Sequence, residues 1–194
     1  MPKLGMEPIR RAALVKATID EIGAAGNLDV TVSSIAKRAG MSSALAHHYF
    51  GGKEQIFLAA MRHTLAIYAA EVRLALGQAQ GHRARLEAII RAGFASSNFR
   101  PDVIAAWLNF YVLAQTSEDA HRLLQVYQRR LHSNLAHDLR PLIGTRADQA
   151  AARIAALIDG YYLRQGLARD AAERSDATRQ VLASLEMELK GRVQ

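Results

Sequence analysis

The 194 residues are half hydrophobic and contain no cysteine, which excludes a disordered chain, a disulfide framework and thiolate metal sites. The formal charge of +7 invites a polyanionic partner, yet the first 55 residues hold seven Lys or Arg against five Asp or Glu, so charge alone does not locate a nucleic-acid site. No stretch approaches the roughly 18 apolar residues of a membrane span, and the opening residues lack a signal-peptide core, so the expectation is a soluble cytoplasmic protein without a membrane partner.

Helical periodicity runs almost throughout. Ala, Leu and Arg favour helix, and no segment alternates as a strand does. The spacing predicts an all-α chain of about nine helices. The first is expected over roughly 8–24, with Pro8 at its start and an apolar stripe of Ile9, Ala12, Val15, Ile19 and Ile22. Gly26-Asn27 ends it. Thr31 offers a hydroxyl cap for a short helix near 32–39, whose inner face is Ile35, Ala36 and Ala39. Gly40 stops that helix, and Ser42 caps another near 43–49. After Gly51-Gly52 a long helix is expected from Lys53 to Gly77, carrying Ile56, Phe57, Ala60, Leu65 and Tyr68. Further helices read as roughly 84–98, 102–117, 119–140, 146–167 and 175–190. Pro101, Thr116-Ser117, Pro141 with Gly144, and Ser175 punctuate them. The expected division is residues 1–52, then 53–194.

The sharpest signal lies between Thr31 and Tyr49. Two short helices meet at a tight turn, with Ala36 small where they approach and Gly40 able to make the turn. Met41 would fill the crevice beneath. This is the spacing of a helix-turn-helix, whose second helix enters the major groove of DNA. With Ala36-x3-Gly40, then His47-His48-Tyr49-Phe50 and Lys53, the first 60 residues resemble the TetR family of repressors. The expected fold is then an N-terminal three-helix DNA-binding domain followed by a helical ligand-binding and dimerisation domain.

That resemblance assigns roles. Ser43, Ala44 and His47 are expected to face base edges, Ser and His by hydrogen bonds and Ala44 by a methyl contact to thymine. Thr31 and Ser33, at the start of the second helix, are expected to meet phosphates, and Ser42 is expected on the DNA-binding surface as well. His48, Tyr49 and Lys53 would hold the flanking phosphates, and Tyr49 could equally be a core residue. His47-His48 is not a metal pair, because adjacent helical residues face different ways.

Downstream, Trp107, Phe110 and Tyr111 share one helix face, and Tyr162 follows Asp159 on a later helix. Aromatic faces attract quaternary ammonium groups, and Asp159 could add charge. Plain core packing explains the same spacing. Matches farther along the chain, such as Ala106-Trp107-Leu108 with Phe110 and Ala156-Leu157-Ile158-Asp159-Gly160, resemble the choline-responsive subgroup of the family. That resemblance implies a choline-like inducer, repression of glycine betaine synthesis, and no cofactor. Tyr111 and Tyr162 stand where that subgroup would lead one to expect tryptophan.

Two apolar stripes could build a four-helix dimer interface: Ala151, Ile154, Ala155 and Ile158, then Val181, Leu182, Leu185 and Leu189. Packing within one chain is the other reading. Against an enzyme, there is no nucleophile elbow, phosphate loop or H-E-x-x-H motif, and no paired carboxylates stand beside a histidine. A regulator of the same family sensing an unrelated apolar molecule, and a helical enzyme using the aromatic group, are the alternatives.

Overall fold

In the computed structural model, nine α-helices follow one another: α1 Met6–Ala25, α2 Val32–Arg38, α3 Ser43–Phe50, α4 Lys53–Gln78, α5 His82–Gly93, α6 Pro101–Leu113, α7 Glu118–Ile143, α8 Ala147–Leu167 and α9 Ala177–Lys190. Short 3-10 turns occupy Ser96–Phe99 and Gly144–Arg146. The structure describes residues 5–168 and 176–191, and no strand occurs among them. Ser175, expected to open the last helix, lies outside the described residues.

Three elements differ from the expected ones. The α5 helix ends at Gly93 instead of near 98. The buried Asn98 amide donates to the Ala92 carbonyl at 3.0 Å, a second bond to an acceptor that also takes the Ala95 N–H at 3.3 Å beyond the end of the helix. The α6 helix ends at Leu113, and Ser117 becomes the cap of α7: its Oγ accepts from the Ala120 N–H at 3.2 Å. Finally, α7 runs through Pro141, which sits so near the C-terminus that its missing donor and ring clash affect only the last turn.

The chain divides into two compact units. The first is Met1–Ala66 with Arg100–Leu123; the second is Ile67–Phe99 with Leu124–Gln194. In the first unit, Leu14, Ala17, Ile22, Val30, Ile35, Ala36, Ala46, Ile56 and Phe57 form the main core. Of the expected α1 stripe, Val15, Ile19 and Ile22 are buried together with Leu14 and Thr18, while Ile9 is 63% exposed and Ala12 is exposed, so only the first turns of the helix lie outside the core. Thr18 is tolerated inside because its hydroxyl donates to the Leu14 carbonyl at 2.8 Å. Residues 101–113 also belong to this unit and pack on α1. Gly23 makes that possible: a Cβ there would lie 2.5 Å from Asp102 Cβ and 2.7 Å from Asp102 Cα.

In the second unit, α5, α7, α8 and α9 enclose Leu86, Ile89, Ile90, Leu135, Leu139, Ile154, Val181 and Leu185. Asp138, 1% exposed, ties α7 to the first turn of α5. It accepts from Arg85 Nε at 2.9 and 3.1 Å, and its Oδ1 lies 2.9 Å from His82 Nδ1.

Candidate functional site

The DNA-reading segment is built from local rules. At the start of α2, Thr31 and Ser34 form a reciprocal capping box, with N-to-Oγ distances of 3.0 and 3.2 Å. The chain leaves α2 through Gly40, whose φ of +68° is strained for any residue with a side chain. The Met41 N–H donates to the Ala36 carbonyl at 2.8 Å, closing the turn. Ser42 caps α3 by accepting from the Leu45 N–H at 3.2 Å. Ala36 and Ala46 are fully buried, so α2 and α3 approach on small side chains.

This places the expected DNA residues as follows. Thr31, Ser33, Ser42, Ala44, His47, His48 and Lys53 are exposed, while Ser43 and Tyr49 are half-buried. His47 Nδ1 lies 3.2 Å from the Gly51 carbonyl. A carbonyl only accepts, so Nδ1 carries the proton, and in the neutral ring Nε2 is left as an outward acceptor. Tyr49 is held from behind: Arg10 Nη1 donates to its hydroxyl at 3.4 Å, and the Arg11 guanidinium sits 5.6 Å from its ring centroid and 5.0 Å from that of Phe50. Arg10 and Arg11 therefore buttress α3 from α1. The Lys53 ammonium lies 5.5 Å from the Phe57 ring centroid.

The expected ligand residues fall in both units. Trp107, Phe110 and Tyr111 belong to the first; the Trp107 ring lies 6.1 Å from Phe110 and 5.8 Å from Tyr111. Trp107 and Phe110 are 6% and 1% exposed and contribute to the interior. Asp159 and Tyr162 belong to the second unit, where they do different things. Tyr162 donates to the Asn98 carbonyl at 2.8 Å and packs 5.1 Å from the Phe99 ring, which stacks on Phe94. Burial raises its phenol above the ordinary tyrosine range.

Asp159 instead joins a polar cluster whose other members carry no clear signal in the sequence. Its Oδ1 accepts from the Tyr127 hydroxyl at 2.8 Å. The Tyr127 ring meets Tyr68 edge-on, with centroids 6.0 Å apart. Glu71, one turn along α4 from Tyr68, accepts from the Ser97 hydroxyl at 2.8 Å through Oε1. Its Oε2 and the Tyr68 hydroxyl are sealed from solvent and have no hydrogen-bond partner among the described residues. Among the described residues, no Lys, Arg or His forms an ion pair with Glu71 or Asp159. Burial pushes the Asp159 carboxyl upward, partly offset by the Tyr127 hydrogen bond. Burial, and then the negative charge of Asp159 and Glu71, pushes the Tyr68 phenol well above its usual range. The Tyr68–Glu71 spacing was a usable clue, since i and i+3 share a helix face. Nothing in the sequence joins that pair to Tyr127 or Asp159.

The expected dimer residues divide by burial. Ala151, Ile154, Ile158, Val181 and Leu185 are at most 3% exposed and pack α8 on α9 within one chain. Ala155, Leu182 and Leu189 are half-buried, and Leu167 and Met187 stand out at 63% and 68% exposed. The inward faces of both stripes are thus used inside the chain, because a helix pair must bury its apolar faces before it can offer surface elsewhere.

Residues 14–60 match the bacterial regulatory proteins of the tetR family, and residues 82–190 match the C-terminal part of the BetI-type transcriptional repressors. The chain belongs to the TetR family of transcriptional repressors. Within it, the chain is 48% identical over 192 residues to the HTH-type transcriptional regulator BetI of Brucella anthropi, covering 98% of this chain and 99% of that one. It is 50% identical over 168 residues to the BetI regulator of Agrobacterium fabrum, covering 86% and 82%. Among solved structures, a transcriptional regulator of Pseudomonas aeruginosa PAO1 superposes with a TM-score of 0.82 at 26% identity, covering 97% of this chain and 94% of that chain. A regulator of Saccharomonospora viridis, solved in complex with choline, superposes with a TM-score of 0.78 at 21% identity, covering 91% and 95%. This TetR-family chain is therefore a DNA-binding repressor of transcription, and the proteins it matches are regulators and not enzymes. No helix among its described residues is long and apolar enough to cross a membrane.

Proposed function

We propose that this repressor controls genes for converting choline to glycine betaine and is released from its operator by choline or a related quaternary amine. The observation that carries the reading is the full-length likeness to BetI regulators, which extends through the ligand-binding part of the chain. The protein would work in the cytoplasm as a homodimer, with two copies of α3 in successive major grooves of a near-palindromic operator. Ser43, Ala44 and His47 would read bases; Thr31, Ser33, Ser42, His48, Tyr49 and Lys53 would position the protein on phosphates. The outward residues of α8 and α9, namely Ala155, Leu182, Leu189, Leu167 and Met187, are the surface available to a second copy. Choline would favour a conformation in which the two recognition helices no longer match the groove spacing, which requires unequal affinity for the two states.

Operator binding by fluorescence anisotropy, with and without choline at constant salt, tests this. The expected result is tight binding without choline and release at saturation. Binding that saturating choline leaves unchanged would overturn the choline switch, and release by a fatty acid alone would favour an apolar inducer.

A further inference from the structure

Among the described residues of the second unit, a polar cluster carries an imbalance of charge and of hydrogen bonds. Tyr68, Glu71, Tyr127 and Asp159 bring two carboxyl groups and two phenol rings together, and among the described residues no cationic side chain pairs with either carboxylate. The Tyr127–Asp159 hydrogen bond satisfies one oxygen, and the Ser97–Glu71 bond satisfies another. Tyr68 Oη and Glu71 Oε2 remain buried and unmatched. Leaving such a group unmatched away from water is unfavourable, and more so when it is charged. Nearly all buried polar atoms in native proteins find a protein or water partner, so these two atoms, beside a pair of carboxylates, offer an incoming ligand two aimed hydrogen-bonding positions.

We infer that Tyr68, Glu71, Tyr127 and Asp159 form the binding site for a small organic monocation that also carries a hydroxyl group. This rests on the inducer reading above and names the residues that would perform it. Each chemical part of the ligand answers one deficit. The cationic head meets the field of Glu71 and Asp159, and the rings of Tyr68 and Tyr127 present negative faces to alkylated nitrogen, which needs no hydrogen bond. The ligand hydroxyl accepts from Tyr68 Oη or donates to Glu71 Oε2. Because the fixed groups are acidic, the same site disfavours a zwitterion with its own carboxylate. A repressor so built answers to the amino alcohol and ignores the betaine made from it, a discrimination by like-charge repulsion.

Tyr127 is oriented by Asp159, so Tyr68 and Glu71 are the cleaner positions to change. The test is calorimetric titration of the full chain with choline, tetramethylammonium and glycine betaine, alongside thermal melts without ligand. Wild type should bind choline best, tetramethylammonium more weakly and glycine betaine at least about tenfold more weakly than choline. Glu71→Gln should lose about tenfold or more in choline affinity, and Tyr68→Phe about threefold or more, with most of the preference for choline over tetramethylammonium lost in the latter. Neither change should lower the melting temperature of the unliganded protein, since each removes an unmet polar or charged group. A purely structural role would lower it.

Unaltered choline affinity in both variants, or a clear drop in their unliganded melting temperature, would overturn the site while leaving choline as inducer. Equal binding of glycine betaine would overturn the charge discrimination. A wild type that binds none of the three compounds would overturn both the site and the choline reading.

Discussion

At the helix-turn-helix, Thr31, Ser42, His47 and Lys53 keep polar atoms within reach of water, whereas Tyr68, Glu71 and Asp138 in the second unit hold theirs away from it. Exposed polar atoms suit a partner that arrives from solution, and buried ones suit a partner already desolvated, which at Asp138 is the chain's own Arg85 and His82. DNA is a large polyanion met on an open surface, so its contacts can be solvated until it arrives. A small molecule supplies few contacts and must find them already desolvated and aimed. Removing an exposed reader should therefore cost binding and spare stability. Removing a satisfied buried group should do the reverse.

The largest effect is expected at Asp138. Asp138→Ala strands Arg85 and His82 at the α5–α7 contact. Because both partners are partly exposed, the loss should be about 2–3 kcal/mol, at the low end for breaking a buried ion pair. Urea denaturation would show it as a lower midpoint with an unchanged slope. His47→Ala breaks the comparison from the other side. Operator affinity should fall by about 1–2 kcal/mol, mainly at one base position, with an unchanged melting temperature. Competition with operators varied one base pair at a time would measure it. A melting temperature that fell in step would mean that the His47 bond to Gly51 matters for folding and not for reading.

Gly40→Ala sits between the two classes. A side chain at φ +68° costs roughly 1 kcal/mol in the turn itself, so stability and operator binding should weaken together. Thermal melts and anisotropy on one preparation would reveal that joint loss. The smallest effect concerns protons. Burial raises the Asp159 carboxyl in the folded state, so the native protein holds that proton more tightly than the unfolded chain. The resulting stability is present at low pH and lost as pH rises through the raised folded value. Asp159→Asn should remove this contribution. Melting curves of wild type and variant should then converge in acid and separate toward neutral pH, with the variant higher, provided no ligand is present.

The same division explains what could be read in the sequence. Helix order, both serine or threonine caps and the Gly40 turn depend on neighbours within four residues, so spacing reveals them. The α1 stripe holds at Val15, Ile19 and Ile22 and fails only at Ile9 and Ala12. An apolar residue in the first turn satisfies the helical period whether or not another helix covers it. The α5 stop at Gly93 and the α6 stop at Leu113 were harder to read, because they go with side-chain bonds, Asn98 to the Ala92 carbonyl and Ser117 to the Ala120 N–H, that helical periodicity does not reveal. The Tyr68–Glu71–Tyr127–Asp159 cluster joins three helices across long sequence separations, and no local rule connects its members. Trp107, Phe110 and Tyr111 were more conspicuous because they share one helix face, but shared-face aromatics are also what a core requires.

One contact on α1 has a mechanical meaning. Where Gly23 meets Asp102, there is no flexible side chain between two helices: backbone almost touches backbone. Such a joint has little compliance. A side-chain interface can absorb a shift of a few tenths of an ångström by changing rotamers, but this one cannot. A displacement of α6 along or toward α1 would reach the first helix nearly undiminished, and α1 carries Arg10 and Arg11, the side chains that brace the recognition helix through Tyr49 and Phe50. A glycine, by having no side chain, thus fixes the stiffness of the linkage.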